Sequence, residues 1–246
     1  MARIHVLVKK EELDRERLAG KVVVVLDVLF ATSSIVTALA HGAREVVPML
    51  DGPSALAEAR LRPAGSYVLS GELDATTLPG FAHPTPLALL GEDLAHKALV
   101  YSTTNGTVAL SKSKGAAHVY AAALLNGESI VEHVAQTFPD ETVLVVCSGS
   151  AGRVNLEDLY GAGYLVSLFA GRDSAAHELS DAALAAQMLY EGRDAFECLA
   201  KGRVGRMMLA RGLEAEVRFA AEKSRFAVVP KLDDGCLRAL PVVRHG

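Results

Sequence analysis

Four apolar runs in this chain end on groups that can do chemistry. "VVVVLDVL" (residues 22–29) places one carboxylate, Asp27, after a run of valines. A buried carboxylate is costly unless it is paired or holds a cation, so Asp27 reads as a metal ligand or a nucleophile, or as a cap on the following helix. "SYVLSGEL" (66–73) ends on Gly71-Glu72, where Glu72 is either a metal ligand or simply solvated. "ALVYSTTNGT" (98–107) runs into Ser102, Thr103, Thr104, Asn105, Gly106 and Thr107. Asn-Gly can make a tight turn, and so many hydrogen-bonding groups at a strand end can also cradle an anion. "TVLVVCSGSAGRVNLEDL" (142–159) carries Cys147, Ser148, Gly149, Arg153, Glu157 and Asp158.

Each group has a structural alternative. Thr32 and Ser33 open the stretch "ATSSIVTALAHGA" (31–43). A helix N-terminus there would suit phosphate, or the hydroxyls would do ordinary N-capping. Asn155 with Asp158 three positions on reads as a capping box; otherwise Glu157 or Asp158 serves as an Mg²⁺ ligand or general base, since magnesium needs only one or two carboxylates plus phosphate and water. Cys147 and Arg153 satisfy Cys-x5-Arg, a phosphate-binding thiolate pattern in the proper loop and otherwise a chance pairing. His83 lies in a Pro/Gly/Thr-rich loop, residues 74 to 86, within reach of a substrate or merely on the surface.

The elements that must position these groups alternate regularly. Short β-branched runs at 4–8, 21–29, 45–50, 66–73, 96–104, 118–124 and 142–149 are separated by Ala/Leu-rich helical stretches. Strand–loop–helix units of this kind predict a mostly parallel or mixed sheet between two helical layers, a three-layer α/β/α fold. Ligands of open α/β sheets bind outside the carboxyl ends of the strands, where Asp27, Glu72, the 102–107 row and the 147–158 segment all fall. Beyond Gly171 the pattern changes to a helix-rich segment, about 178–225, with Ser180 as an N-cap. The tail "RFAVVPKLDDGCLRALPVV" (225–243) predicts a hairpin about Asp-Asp-Gly that joins or extends the sheet. No linker composition divides the chain, so residues 1–246 read as a single domain, two-lobed at most.

The bulk numbers exclude several classes. The chain has 246 residues, 50% hydrophobic, a formal net charge of −4 and a sequence pI of about 6.1. That balance lacks the basic footprint of a nucleic-acid binder. Three separated cysteines argue against a disulfide framework or a zinc site and for a reducing cytoplasm. The N-terminus has no apolar signal-peptide core, and no run is long enough to span a membrane.

Taken in order, "LDVLFATSSIVTALAHGA" (26–43), "SGELDATTLPGF" (70–81), "STTNGTVAL" (102–110), "LLNGESIVEHV" (124–134) and "CSGSAGRVNLEDLYGAG" (147–163) resemble the 2-phosphosulfolactate phosphatases, magnesium-dependent enzymes of coenzyme M biosynthesis, and their bacterial relatives. The resemblance implies a three-layer α/β/α fold, Mg²⁺ and hydrolysis of a phosphate monoester of a small 2-hydroxy acid. Asp27, Glu72, Asn105, Glu157 and Asp158 match its polar positions. On this reading Asp27, Glu72 and Asp158 hold the metal, and Glu157 orients a water. Thr32, Ser33, Thr103, Thr104, Asn105, Gly106, Thr107, Ser148, Gly149 and Arg153 surround a small anionic phosphorylated substrate. The chain departs from the family pattern where Phe30 and Leu73 stand in place of arginines and where "GFAHPTP" (80–86) is short of an Asp and an Asn. The alternative expectation is a non-catalytic relative that binds a small anion. The helical segment 178–225 is read as a cover for the site or as a homodimer face.

Overall fold

A computed structural model of the chain describes residues 2–172 and 177–240. Among the described residues, eleven strands form one mixed sheet. Eight lie on the main run of the chain: β1 (Ala2–Leu7), β2 (Val22–Leu26), β3 (Glu45–Met49), β4 (Tyr67–Leu73), β5 (Thr76–Thr77), β6 (Ala98–Ser102), β7 (His118–Ala122) and β8 (Val143–Cys147). The others are β9 (His177–Leu179), β10 (Pro230–Asp233) and β11 (Cys236–Ala239). Their order is β5-β4-β6-β3-β11-β10-β7-β2-β8-β1-β9. Two parallel blocks, β4-β6-β3 and β7-β2-β8-β1-β9, are stitched by the antiparallel hairpin β10–β11. The tail hairpin therefore joins the sheet at its middle. Its turn uses Asp234 and Gly235, both at positive φ, the geometry that matches strand twist. Residues 241–243 of the expected tail lie outside the described residues.

The helices are α1 (Ala31–Ala40), α2 (Gly52–Arg60), α3 (Pro86–Leu90), α4 (Gly106–Lys112), α5 (Gly127–Thr137), α6 (Leu156–Arg172), α7 (Asp181–Tyr190), α8 (Ala195–Lys201), α9 (Arg203–Ala210) and α10 (Glu214–Ala220). Strand β2 is buried throughout, as expected of a strand with helices on both faces. Val22, Val24 and Leu26 face a core with α5 and α6, while Val23 and Val25 face one with α1 and α4. Ser180 caps α7 as expected, accepting from the Ala183 N–H at 3.3 Å.

Asn105-Gly106 opens a helix after β6, as the strand–helix alternation predicts, with Asn105 the residue before α4. One local expectation is corrected: the Asn155/Asp158 capping box does not form. The Asn155 side-chain oxygen accepts from Ser150 Oγ (2.8 Å) and Arg203 Nη2 (3.3 Å), and Asp158 turns toward two other loops. Among the described residues, no helix is long and apolar enough to cross a membrane.

Candidate active site

A cavity of about 570 Å³ opens over the carboxyl ends of β2, β4, β6 and β8. Four strands separate β6 from β2 in the sheet, which in a flat sheet would put about 24 Å between them. The segments leaving the two strands nevertheless converge. A Cβ placed on Gly106 would lie 2.4 Å from Ala31 Cβ and 2.8 Å from Asp27 Oδ2. Glycine is therefore what lets the start of α4 close on Asp27.

Asp27 is 6% exposed and borders the cavity. Burial, then the nearby Asp158 and Glu72 carboxylates, push its pKa well above the ordinary value; Lys10 and the Ala31 N–H pull the other way. Thr32 locks the turn behind it, since the Thr32 hydroxyl accepts from Asp27 N–H (2.9 Å) and donates to Asp27 C=O (3.0 Å). Ser33 Oγ donates to Val28 C=O at 2.8 Å. Both hydroxyls are fully buried and serve the backbone. Helix α1 begins at Ala31 with Phe30 in the cap position, so neither is its N-cap.

Glu72 also borders the cavity. It accepts from Thr104 N–H (2.7 Å), Ala75 N–H (2.6 Å) and the Thr104 hydroxyl (3.2 Å). In the 102–107 row, Thr103, Thr104 and Asn105 line the cavity. Thr107 is fully buried, and its hydroxyl donates to Thr103 C=O at 2.8 Å, which ties the loop.

Lys10 was not singled out in the sequence. It follows β1, is 6% exposed, and donates to Asn105 Oδ1 (2.9 Å) and Ser148 C=O (3.2 Å). An ammonium only donates, so Asn105 must present its oxygen to Lys10 and keep both amide N–H groups for the cavity. The sequence signal was the Lys9-Lys10 pair just past the strand's carboxyl end.

The 147–158 segment works differently from the expectation. Asp158 is fully buried and does not line the cavity; its oxygens accept from Val28 N–H (2.9 Å) and Gly149 N–H (3.0 Å). It staples the β2 loop to the β8 loop. Burial and neighbouring Glu157 raise its pKa. Glu157, 1% exposed, also lies outside the lining, with neither oxygen hydrogen-bonded. Burial raises its pKa, Asp27 adds to this, and Arg203 opposes it. Ser148 and Gly149 sit behind the cavity wall, and Arg153 is exposed and outside it; Ser150 and Asn155 line it instead. Cys147 is fully buried and its thiol is pushed up by burial and by Asp158. That is the reverse of an activated thiolate, so the Cys-x5-Arg reading falls.

The opposite wall comes from the helical segment, which covers the site. Val204, Met207 and Met208 of α9 line the cavity, flanked by Arg203 and Arg211. Arg203 donates to Ser150 Oγ and Asn155 Oδ1, and Arg211 donates to Ala75 C=O. Their signal in the sequence was an amphipathic stripe at 204, 207 and 208 with an arginine at each end. From α10, buried Glu216 accepts from Thr85 Oγ1 (2.5 Å) and from the Leu87 (2.8 Å) and Ala88 (3.1 Å) N–H groups. His83 borders the cavity, its Nδ1 2.9 Å from Thr85 Oγ1.

The sequence profile of the 2-phosphosulpholactate phosphatase family matches residues 7–235. The chain belongs to this family. It is 35% identical over 224 residues to a probable 2-phosphosulfolactate phosphatase of Symbiobacterium thermophilum, covering 89% of this chain and 94% of that protein. Proteins of the same description in Clostridium beijerinckii (31% over 237 residues, 95% and 98% covered) and Deinococcus radiodurans (35% over 217 residues, 87% and 88% covered) are also similar.

The donor chemistry at the cavity floor suits a hard cation. Asp27 and Glu72 offer oxygen only; burial, and then the nearby Asp158 and Glu72 carboxylates, disfavour the charged Asp27, and a cation would relieve both effects. Among the described residues, no three His, Cys, Asp or Glu side chains form a ready metal cage. Magnesium does not require one, because it keeps several waters and takes substrate phosphate as a ligand.

Proposed function

We propose that this protein is a magnesium-dependent phosphatase acting on a phosphate monoester of a small 2-hydroxy acid, of the 2-phosphosulfolactate kind, giving 3-sulfolactate and phosphate. The observation that carries the reading is the buried Asp27, closed upon by Gly106 and facing a cavity beside Glu72.

Asp27 and Glu72 would hold the ion. Bound there, Mg²⁺ supplies charge neutralisation and a polarised phosphoryl oxygen. The two amide N–H groups of Asn105 point the phosphate oxygens, with the Lys10 charge directly behind the amide. The Lys10 charge polarises the amide, so its N–H groups donate more strongly than those of an unpolarised amide. Asp158 keeps the Val28 and Gly149 backbone in place, so that Asp27 does not reorganise during the reaction. The closed floor favours positioning over solvation, which is where phosphoryl transfer gains most.

The test is phosphate release from a panel of phosphorylated 2-hydroxy acids with Mg²⁺ and with EDTA. Metal-dependent release is expected. Binding of phosphosulfolactate without release from any panel member would leave a non-catalytic anion binder instead.

A further inference from the structure

The cavity is electrically divided. Its floor carries the carboxylates Asp27 and Glu72, and its cover carries two guanidiniums, Arg203 and Arg211. The two arginines bracket α9: Arg203 is its first residue and Arg211 follows its last. Eight residues of helix set their Cα atoms about 12 Å apart. Their side chains go to opposite walls, Arg203 to Ser150 and Asn155 after β8, and Arg211 to Ala75 after β4. Each of these partners is a neutral hydroxyl, amide or carbonyl oxygen. Among the described residues neither arginine makes an ion pair, although most other well-placed arginines do. Arginine has five donors, so both retain donors at the cavity; the Arg203 charge also acts on buried Glu157 behind it. Between them the cover presents only Val204, Met207 and Met208.

We propose that Arg203 and Arg211 are specificity-determining residues that each take one non-esterified acid group of the substrate, a carboxylate or a sulfonate, while the phosphate lies on the floor. Two separate unpaired guanidiniums select a molecule with two acid groups besides its phosphate. Planar forks suit both oxyanions. The apolar stretch between them holds the short carbon skeleton. This assignment rests on the phosphatase reading for its reaction, but not for its binding.

The experiment compares wild type, Arg203→Met, Arg211→Met and the Lys variants on three phosphate esters with Mg²⁺: one with two further acid groups, one with a single carboxylate, and p-nitrophenyl phosphate with none. Each Met variant should raise KM for the doubly acidic ester about 10- to 100-fold. Only one of the two should affect the singly acidic ester, and neither should change kcat/KM for the uncharged-tail ester more than about twofold. Thermal melts should fall by only a few degrees for the lost side-chain bonds, a change common to all three esters, and Lys should restore only part of the KM loss. Equal losses on all three esters, or no loss on any, would overturn the proposal. Calorimetric titration of the unphosphorylated diacid, 3-sulfolactate, separates the two readings. If wild type releases no phosphate but its binding of sulfolactate weakens in both Met variants, the phosphatase reading falls and the guanidinium assignment stands. If neither variant weakens that binding, the assignment falls by itself.

Discussion

The floor and the cover of the cavity are built by different physics. Floor groups are buried and bound to the backbone: Asp158 holds two loop N–H groups, Thr32 clasps the Asp27 turn, and Lys10 ties Asn105 to Ser148. Cover groups are exposed arginines and one buried glutamate that reach the strand-end loops through a few side-chain bonds. A rigid, charged floor suits bond breaking, where small displacements are costly. A cover attached by side chains suits recognition, because its contacts can vary without disturbing the sheet. The covering helices α9 and α10 begin at Arg203 and Glu214, after Asp158, the last of these floor groups, so the two layers are encoded in separate segments.

The sharpest way to break this division is Asp27→Asn. It should lower kcat for phosphate release by about 10²–10³-fold while leaving the circular dichroism spectrum unchanged. A loss no larger than that of Arg211→Met would erase the distinction between layers. Next is Gly106→Ala, whose Cβ would overlap Ala31 and Asp27. About a 100-fold fall in kcat is expected, with about 1–3 kcal/mol lost in denaturant melts from overpacking.

Lys10→Met tests the floor's charge balance. Two buried acceptors lose a donor, at about 1–3 kcal/mol. Lys10 also lowers the pKa of Asp27, so its removal raises that pKa further. Asp27 then keeps its proton to higher pH, and the acid limb of the kcat/KM profile should move upward; a downward shift would contradict the assignment. Glu216→Gln tests the attachment of the cover. About 1 kcal/mol of stability should be lost, with faster amide exchange over residues 85–90 and a larger change in KM than in kcat.

The smallest effect belongs away from both layers. Glu45 accepts from Arg62 (2.9 Å) and Arg238 (2.6 Å), joining β3 to the inserted hairpin. Burial alone would raise its pKa, but the two arginine bonds outweigh burial and hold it below 4.5. Its contribution is present above the unfolded value and is lost as pH falls through the lower folded value. Glu45→Gln should therefore cost about 1 kcal/mol near neutrality and converge with wild type only once the pH falls below the lowered folded value, with activity unaffected.

Legibility in the sequence followed the range of the interactions. Asp27 stood out because a carboxylate interrupting a valine run must be explained by something nearby. Ser180 was readable as a cap because capping is settled within four residues. Asn155 and Asp158 have the same local pattern, yet long-range partners won: the Val28 N–H lies 130 positions from Asp158, and Arg203 lies 48 from Asn155. Thr32 and Ser33 looked like phosphate binders because their types suit it; their hydroxyls instead satisfy strand-end backbone that burial had cut off from water.

The sequence by itself determined the alternation of strands and helices, the hairpin at the tail, the family, and the acidic and hydroxyl groups at the strand ends. These depend on periodicity, turn chemistry and residue type, which are local. Tertiary structure alone decided which of those groups face the cavity. It placed Asp27, Glu72 and Asn105 inward and turned Asp158, Glu157 and Arg153 away, and it brought Lys10, Arg203 and Arg211 to the site. The reason is that a buried polar group is claimed by whichever donor or acceptor the packing delivers, and packing joins segments that the chain keeps far apart.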